Sequence, residues 1–202
     1  GVTGGTKTMQ EVGTLTISEG MNNPLDSGCA VNASDVVMLQ LALVASSAEP
    51  IDISSITFTA SGTGNDVTGV GSVRLFLDAN DDGLLDGGDS QIGTNKSFTV
   101  NNGTVTFDGL SETINASSTE NWLVIYNISS TPLEGEDFAI EVDNDNDIAA
   151  MGSLSAQTIT PTGASVHSAV KTIGAGSLTL SLGPNNPDTG NVNFRSQNLS
   201  II

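Results

Sequence analysis

Residues 78–89 read DANDDGLLDGGD and crowd side-chain oxygens into one short stretch. Asp78, Asn80, Asp82, Asp86 and Asp89 stand at its first, third, fifth, ninth and twelfth places. Gly83 is sixth, where a chain wrapping an ion must turn sharply, and Leu84 is seventh, where a backbone carbonyl serves as ligand. Ca²⁺ takes roughly six to eight hard oxygens, so this pattern predicts a site built from Asp78, Asn80, Asp82, Leu84, Asp86 and Asp89. Asp86 would ligate directly or through water. At the twelfth place Asp replaces the longer Glu, which favours a single oxygen over two. The competing reading is a solvated acidic turn. Against it, every ligand place and the glycine are filled together, while Asp81 adds one more charge to be neutralised.

Other chemistry is thin. A second acidic run, EVDNDNDIAA at 141–150, offers Asp143, Asp145 and Asp147 at alternate places, but Ile148 sits where the glycine should be. A polar turn is the better reading there. The single histidine, His167, lies in an alternating Ser/Val stretch, and the sequence has no nucleophile-elbow or phosphate-loop pattern. The paired carboxylates fall only in the acidic loops, where cation binding accounts for them better than glycoside hydrolysis does. A non-enzymatic role is the expectation. One cysteine, Cys29, excludes an internal disulfide and reads as a small, half-buried side chain. Lys7, Lys96 and Lys171 are the candidates for a lysine–asparagine crosslink.

The elements that must hold this loop are strands. Period-two alternation and β-branched residues mark 14–18, 36–45, 51–60, 72–77, 97–100, 104–107, 122–128, 138–142, 156–160, 166–173 and 177–182. VVMLQLALVA and NWLVIYNI are apolar on both faces, so they belong in the middle of a sheet covered on both sides. Roughly ten short antiparallel strands predict an all-β sandwich, Ig-like or jelly-roll-like, with the calcium loop inserted after SVRLFL. Trp122 falls in one of these apolar runs and is expected in the core, which counts against a glycan-stacking surface.

A repeat organises the chain. GTLTISEGMNNP at 13–24 returns as GSLTLSLGPNNP at 176–187, sharing Gly, Leu, Thr, Ser, Gly, Asn, Asn and Pro in the same places. The division that follows is an N-terminal arm over 1–12, a sandwich domain over 13–175 and an extension over 176–202 that repeats the domain's start. One or two strands bury too little surface to fold alone. The extension is therefore expected to pack on something: on its own domain, as in a fragment of a tandem protein, or on the next subunit, with identical subunits joined head to tail, or neighbouring repeats, as partners.

The 202 residues carry 23 acidic against five basic side chains, a net charge of −18 that repels phosphate backbones and excludes nucleic-acid binding. No apolar run is long enough to insert in a membrane. Sequons at Asn32, Asn95, Asn102, Asn115, Asn127 and Asn198 leave glycans as possible partners.

The loop resembles the EF-hand-like calcium loops of dockerins and other calcium-binding repeats. The wider run FTASGTGNDVTGVGSVRLFLDANDDGLLDGGDSQIG, then NGTVTFDGLSETI and WLVIYNIS, resembles the β-sandwich repeats of archaeal and bacterial cell-surface proteins, of surface-layer or adhesin type. That resemblance implies a calcium-stabilised extracellular module, structural or adhesive, with no catalytic residues. A dockerin loop is followed by a helix and duplicated; here the loop follows a strand and occurs once with full ligation. The expectation is a subunit of a surface filament or layer assembled by strand exchange. An adhesin or carbohydrate-binding repeat is the alternative.

Overall fold

The computed structural model describes residues 11–174, which form an all-β sandwich. In chain order the strands are β1 (Leu15–Glu19), β2 (Ser27–Cys29), β3 (Val36–Ala45), β4 (Ile51–Ser61), β5 (Val70–Asp78), β6 (Ser90–Lys96) and β7 (Thr104–Ile114). They continue with β8 (Thr119–Ile128), β9 (Asp137–Val142), β10 (Ile148–Gly152), β11 (Thr158–Ile159), β12 (Val166–His167) and β13 (Lys171–Ile173). A single helical turn, Asp66–Gly69, precedes β5. One sheet runs β1-β3-β8-β5-β6; the other runs β11-β10-β4-β9-β13-β2, with β7 on β4 and β12 on β9. The strand pairings are antiparallel except β2 with β13.

Alternation puts one row of each sheet into a shared core. Leu39, Leu41 and Leu43 of β3, Trp122, Val124 and Tyr126 of β8, and Val73 and Leu75 of β5 meet Ile51, Ile53, Phe58, Phe107, Phe138 and Ile140 from the other sheet. The aromatic rings lock edge to face, Phe58 on Phe107 at 6.1 Å and Phe98 on Tyr126 at 6.0 Å. On the opposite face of β8, Leu123 and Ile125 are buried too, as is Gln40 of β3. The two runs that are apolar on both faces therefore do sit mid-sheet with both sides covered.

Several elements differ from the sequence reading. Residues 97–100 form no strand; Phe98 instead plugs the core as a loop residue beside Tyr126. The strand lies just before it, as β6, whose register on β5 (Leu75 opposite Ile92, Leu77 opposite Ser90) makes the acidic stretch the turn of a β5–β6 hairpin. The stretch 166–173 splits into β12 and β13 around Ser168–Val170, while Ile148–Ala150, read as the end of a polar turn, open β10. The arm over 1–12 is described only at Glu11 and Val12. The strand at 177–182 and the extension over 176–202 lie outside the described residues.

Glu49, buried in the β3–β4 turn, ties three chain segments together. Its carboxylate accepts from the Gly13 amide at 2.9 Å, the Leu154 amide at 2.9 Å, and the Ser155 amide and hydroxyl at 2.8 and 2.7 Å. The Gly13 amide, the Ser155 hydroxyl and the two turn amides hold its pKa near 2 against the opposing effect of burial. A folded-state pKa below the ordinary 4.5 means stability that is present above pH 4.5 and lost as pH falls toward 2. Urea unfolding across that window should show wild-type stability falling with acid. Glu49→Gln should be weaker at pH 7 and should lose part of that slope. An identical slope in the variant would mean that other carboxylates carry the acid dependence.

Candidate metal centre

The acidic loop is anchored at its first residue. Asp78 ends β5, lies opposite Asn121 of β8 and is only 2% exposed. Its carboxylate accepts from the Gly83 amide at 2.9 Å, the Asp82 amide at 3.2 Å and the Gln40 side-chain amide at 2.7 Å. The following carboxylates also hold backbone amides: Asp82 that of Leu84 at 2.8 Å, Asp86 that of Gly88 at 2.7 Å. Asp89 closes the loop, taking the amides of Ala79 at 2.9 Å and Asp86 at 2.8 Å. A carboxylate has about four acceptor positions, so these bonds fix each group while leaving it further lone pairs.

Three side chains converge. The Asn80 amide nitrogen reaches Asp82 Oδ2 at 3.0 Å and Asp86 Oδ2 at 3.2 Å, so the third, fifth and ninth places of the loop face one point. A half-turn of that amide exchanges its NH₂ for Oδ1 and turns the cluster into three oxygens. Asp78 and Asp89 sit at the loop's base, joining its two ends to the hairpin. Leu84 stands 63% exposed at the rim, and Leu85 is half-buried outside the main core. As they stand, no three acidic, histidine or cysteine side chains among the described residues close on one another as a metal-binding group. The donor set is all oxygen, which suits a hard cation such as Ca²⁺ and does not suit zinc or copper.

Sequence reading missed the brace behind this loop. Gln40, fully buried in β3, donates to Asp78 while its Oε1 accepts the Asn22 amide at 2.8 Å. Its backbone N–H donates to Asn23 Oδ1 at 2.9 Å, and its carbonyl accepts the Gly20 amide at 2.7 Å. The Asn22 side chain donates to the Asp81 carbonyl at 2.6 Å, and Asn121 donates to the Asp81 carboxylate at 2.9 Å. Two glycines permit the approach. A Cβ on Gly83, whose φ is +76°, would collide with the Asn22 carbonyl, and a Cβ on Gly20 would collide with the Gln40 side chain. The signals were present in the sequence: Gln40 is the one polar side chain in VVMLQLALVA, and Gly20, Asn22 and Asn23 belong to the repeated motif.

The second acidic run is a polar turn. Asp145–Asp147 form a short helical turn whose carboxylates serve the backbone, Asp147 accepting the Asn144 amide at 3.0 Å and Asp145 the Ala164 amide at 2.9 Å. Cys29 is free and half-buried, and burial pushes its thiol up. Lys96 meets Asp108 at 2.7 Å, and Lys171 meets the Leu25 carbonyl and Ser27 hydroxyl, both at 2.9 Å. None of these partners is an asparagine; Lys7 lies outside the described residues.

His167 has a more interesting setting than its sequence context suggested. Its Nε2 is 2.9 Å from the Ser165 hydroxyl and its Nδ1 pairs with Glu141. The order serine–imidazole–carboxylate is that of an activated nucleophile. Here, however, the imidazole is 64% exposed on a two-residue strand, where water hydrates the ring. Two surface grooves, lined around Asn23–Asp26 and around Ile148–Met151, include none of the three residues.

No helix among the described residues is long and apolar enough to cross a membrane. A scan against protein-family models finds no match, and a search of curated proteins finds none.

Proposed function

We propose that this chain is a non-enzymatic structural module that works outside the cell, as a calcium-stabilised subunit of a surface filament or layer. One observation carries the reading: the oxygen-rich loop is tied to the middle of a sheet through Asp78 and Gln40, so clamping the loop braces the fold. Without a cation, Asp78, Asp81, Asp82, Asp86 and Asp89 repel one another in a chain already at −18. With Ca²⁺ held by Asp78, Asn80, Asp82, the Leu84 carbonyl, Asp86 and Asp89, that repulsion becomes attraction and the β5–β6 hairpin is pinned. Such a site needs the high calcium of an extracellular medium only if it is weak, in the range of about 10⁻⁴–10⁻³ M typical of extracellular modules. The adhesin alternative loses its main cue, because Trp122 is fully buried and has no face to stack on a sugar. Partners are identical subunits or neighbouring repeats.

A ligand that binds only the folded state at about 100 times its Kd stabilises it by about 2.7 kcal/mol. For a domain of this size each kcal/mol moves Tm by about 2–4 °C, so saturating calcium should raise Tm by about 5–10 °C over EDTA. Thermal melts read this directly. Equal melting temperatures in calcium and EDTA would remove calcium from the proposal.

A further inference from the structure

We propose that residues 176–187, which repeat the sequence of β1 and its brace, seat on the β3 edge of a second copy of this chain. The inference rests on the assembly reading above and names the slot. In the described structure that slot is filled by residues 13–24. Of residues 13–20 the buried ones are Gly13, Leu15, Ile17 and Gly20, and the repeat keeps them as Gly176, Leu178, Leu180 and Gly183. The brace residues Asn22 and Asn23, which hold Gln40 and Asp81, return as Asn185 and Asn186. Two non-conservative differences, Glu19 against Leu182 and Met21 against Pro184, fall at exposed positions. Every buried and brace position of the slot therefore has a second occupant in the chain, identical except for Leu180 in place of Ile17.

The second set cannot reach the slot of its own domain. Gly13 lies at the Ala45 end of β3, bonded to Glu49, with Thr14 bonded to Ser46. From Thr162, level with Thr16, the chain runs beside β1 in the same direction, passes Met38 at Ala169 and reaches Cys29 at Gly174. Cys29 lies beyond the Val36 end, since nearby Ala33 bonds Ile128 of β8. The ten residues of β3 separate these ends by about 30 Å, at about 3.3 Å per residue. Two residues from Gly174 to Gly176 cover at most about 7 Å. The repeat thus leaves from the pole opposite to the one where its own slot begins, and a head-to-tail partner presents that slot at the right end. Such a head-to-tail contact propagates unless it closes into a ring or a reciprocally swapped pair. Because a partner's own residues 13–24 make the same contacts, the exchange advances when they are released.

The test blocks one copy of the segment at a time in the full chain. Gly20→Val drives a side chain into buried Gln40 and disables residues 13–24 but leaves the slot intact. Sedimentation analysis should then show oligomers growing with concentration, and adding Gly183→Val to the same chain should remove them. If Gly20→Val alone fails to fold, the synthetic peptide GSLTLSLGPNNP added in trans should restore a cooperative melt, and the same peptide with Gly183→Val should not. A Gly20→Val chain that stays folded and monomeric at every concentration overturns the proposal, as does an unfolded one that the peptide does not rescue. Should the wild-type chain assemble but neither variant alter its assembly, the assembly reading survives and this slot is wrong.

Discussion

Asp78→Ala should destabilise the domain by about 3 kcal/mol or more in EDTA and should also abolish its response to calcium. The carboxylate is buried and holds three donors: Gly83 N, Asp82 N and the Gln40 amide. Stranding a buried donor costs about 1–3 kcal/mol, and the Gln40 amide is sealed within β3 where water cannot replace the lost partner. At about 2–4 °C per kcal/mol, that predicts a fall in Tm of about 6–12 °C. The comparison that gives this meaning is Asp82→Asn or Asp86→Asn. Both residues are exposed, so stability in EDTA should change by less than about 1 kcal/mol while the calcium response is lost. Urea unfolding in EDTA, followed by melts with calcium, separates the two roles. Asp78→Ala unfolding at the wild-type midpoint in EDTA would mean that the loop is not anchored through Gln40.

Trp122→Ala should cost about 3–5 kcal/mol, the usual loss for deleting a buried indole. Trp122 is fully buried, faces the second sheet and lies between Leu41 of β3 and Leu77 of β5 in register. Its indole N–H donates to Glu120 at 3.3 Å, and burial raises that carboxyl's pKa. Since it is the chain's single tryptophan, its emission in the wild type should be blue-shifted and protected from aqueous quenchers until the domain unfolds. The variant's stability is best read by circular dichroism in urea. A midpoint within error of wild type would contradict the two-sheet core described above.

How legible all this was depends on where burial acts. β3 was read at its observed bounds and β8 nearly so, because both are buried on two faces and hydrophobicity alone marks them. β6 was missed since Ile92 is its only buried side chain, and pairing with β5, rather than residue type, makes it a strand. β2 has the same cause: Ser27, Gly28 and Cys29 have weak strand character and are extended only because β13 runs beside them. The loop's oxygens were legible from spacing, for the turn geometry is local. The brace was not, because Gln40 and Asn22 are distant in sequence from Asp78 and Asp81, and only the folded sheet brings them together. The repeated motif announced its importance without announcing its contacts.

Calorimetric titration of the metal-free chain with Ca²⁺, run beside an Asp82→Asn/Asp86→Asn double variant, decides whether residues 78–89 form a calcium site. One ion should bind per wild-type chain, in the micromolar to millimolar range, and none to the folded variant. No heat with the wild-type chain, or equal binding by the variant, would contradict a calcium site there.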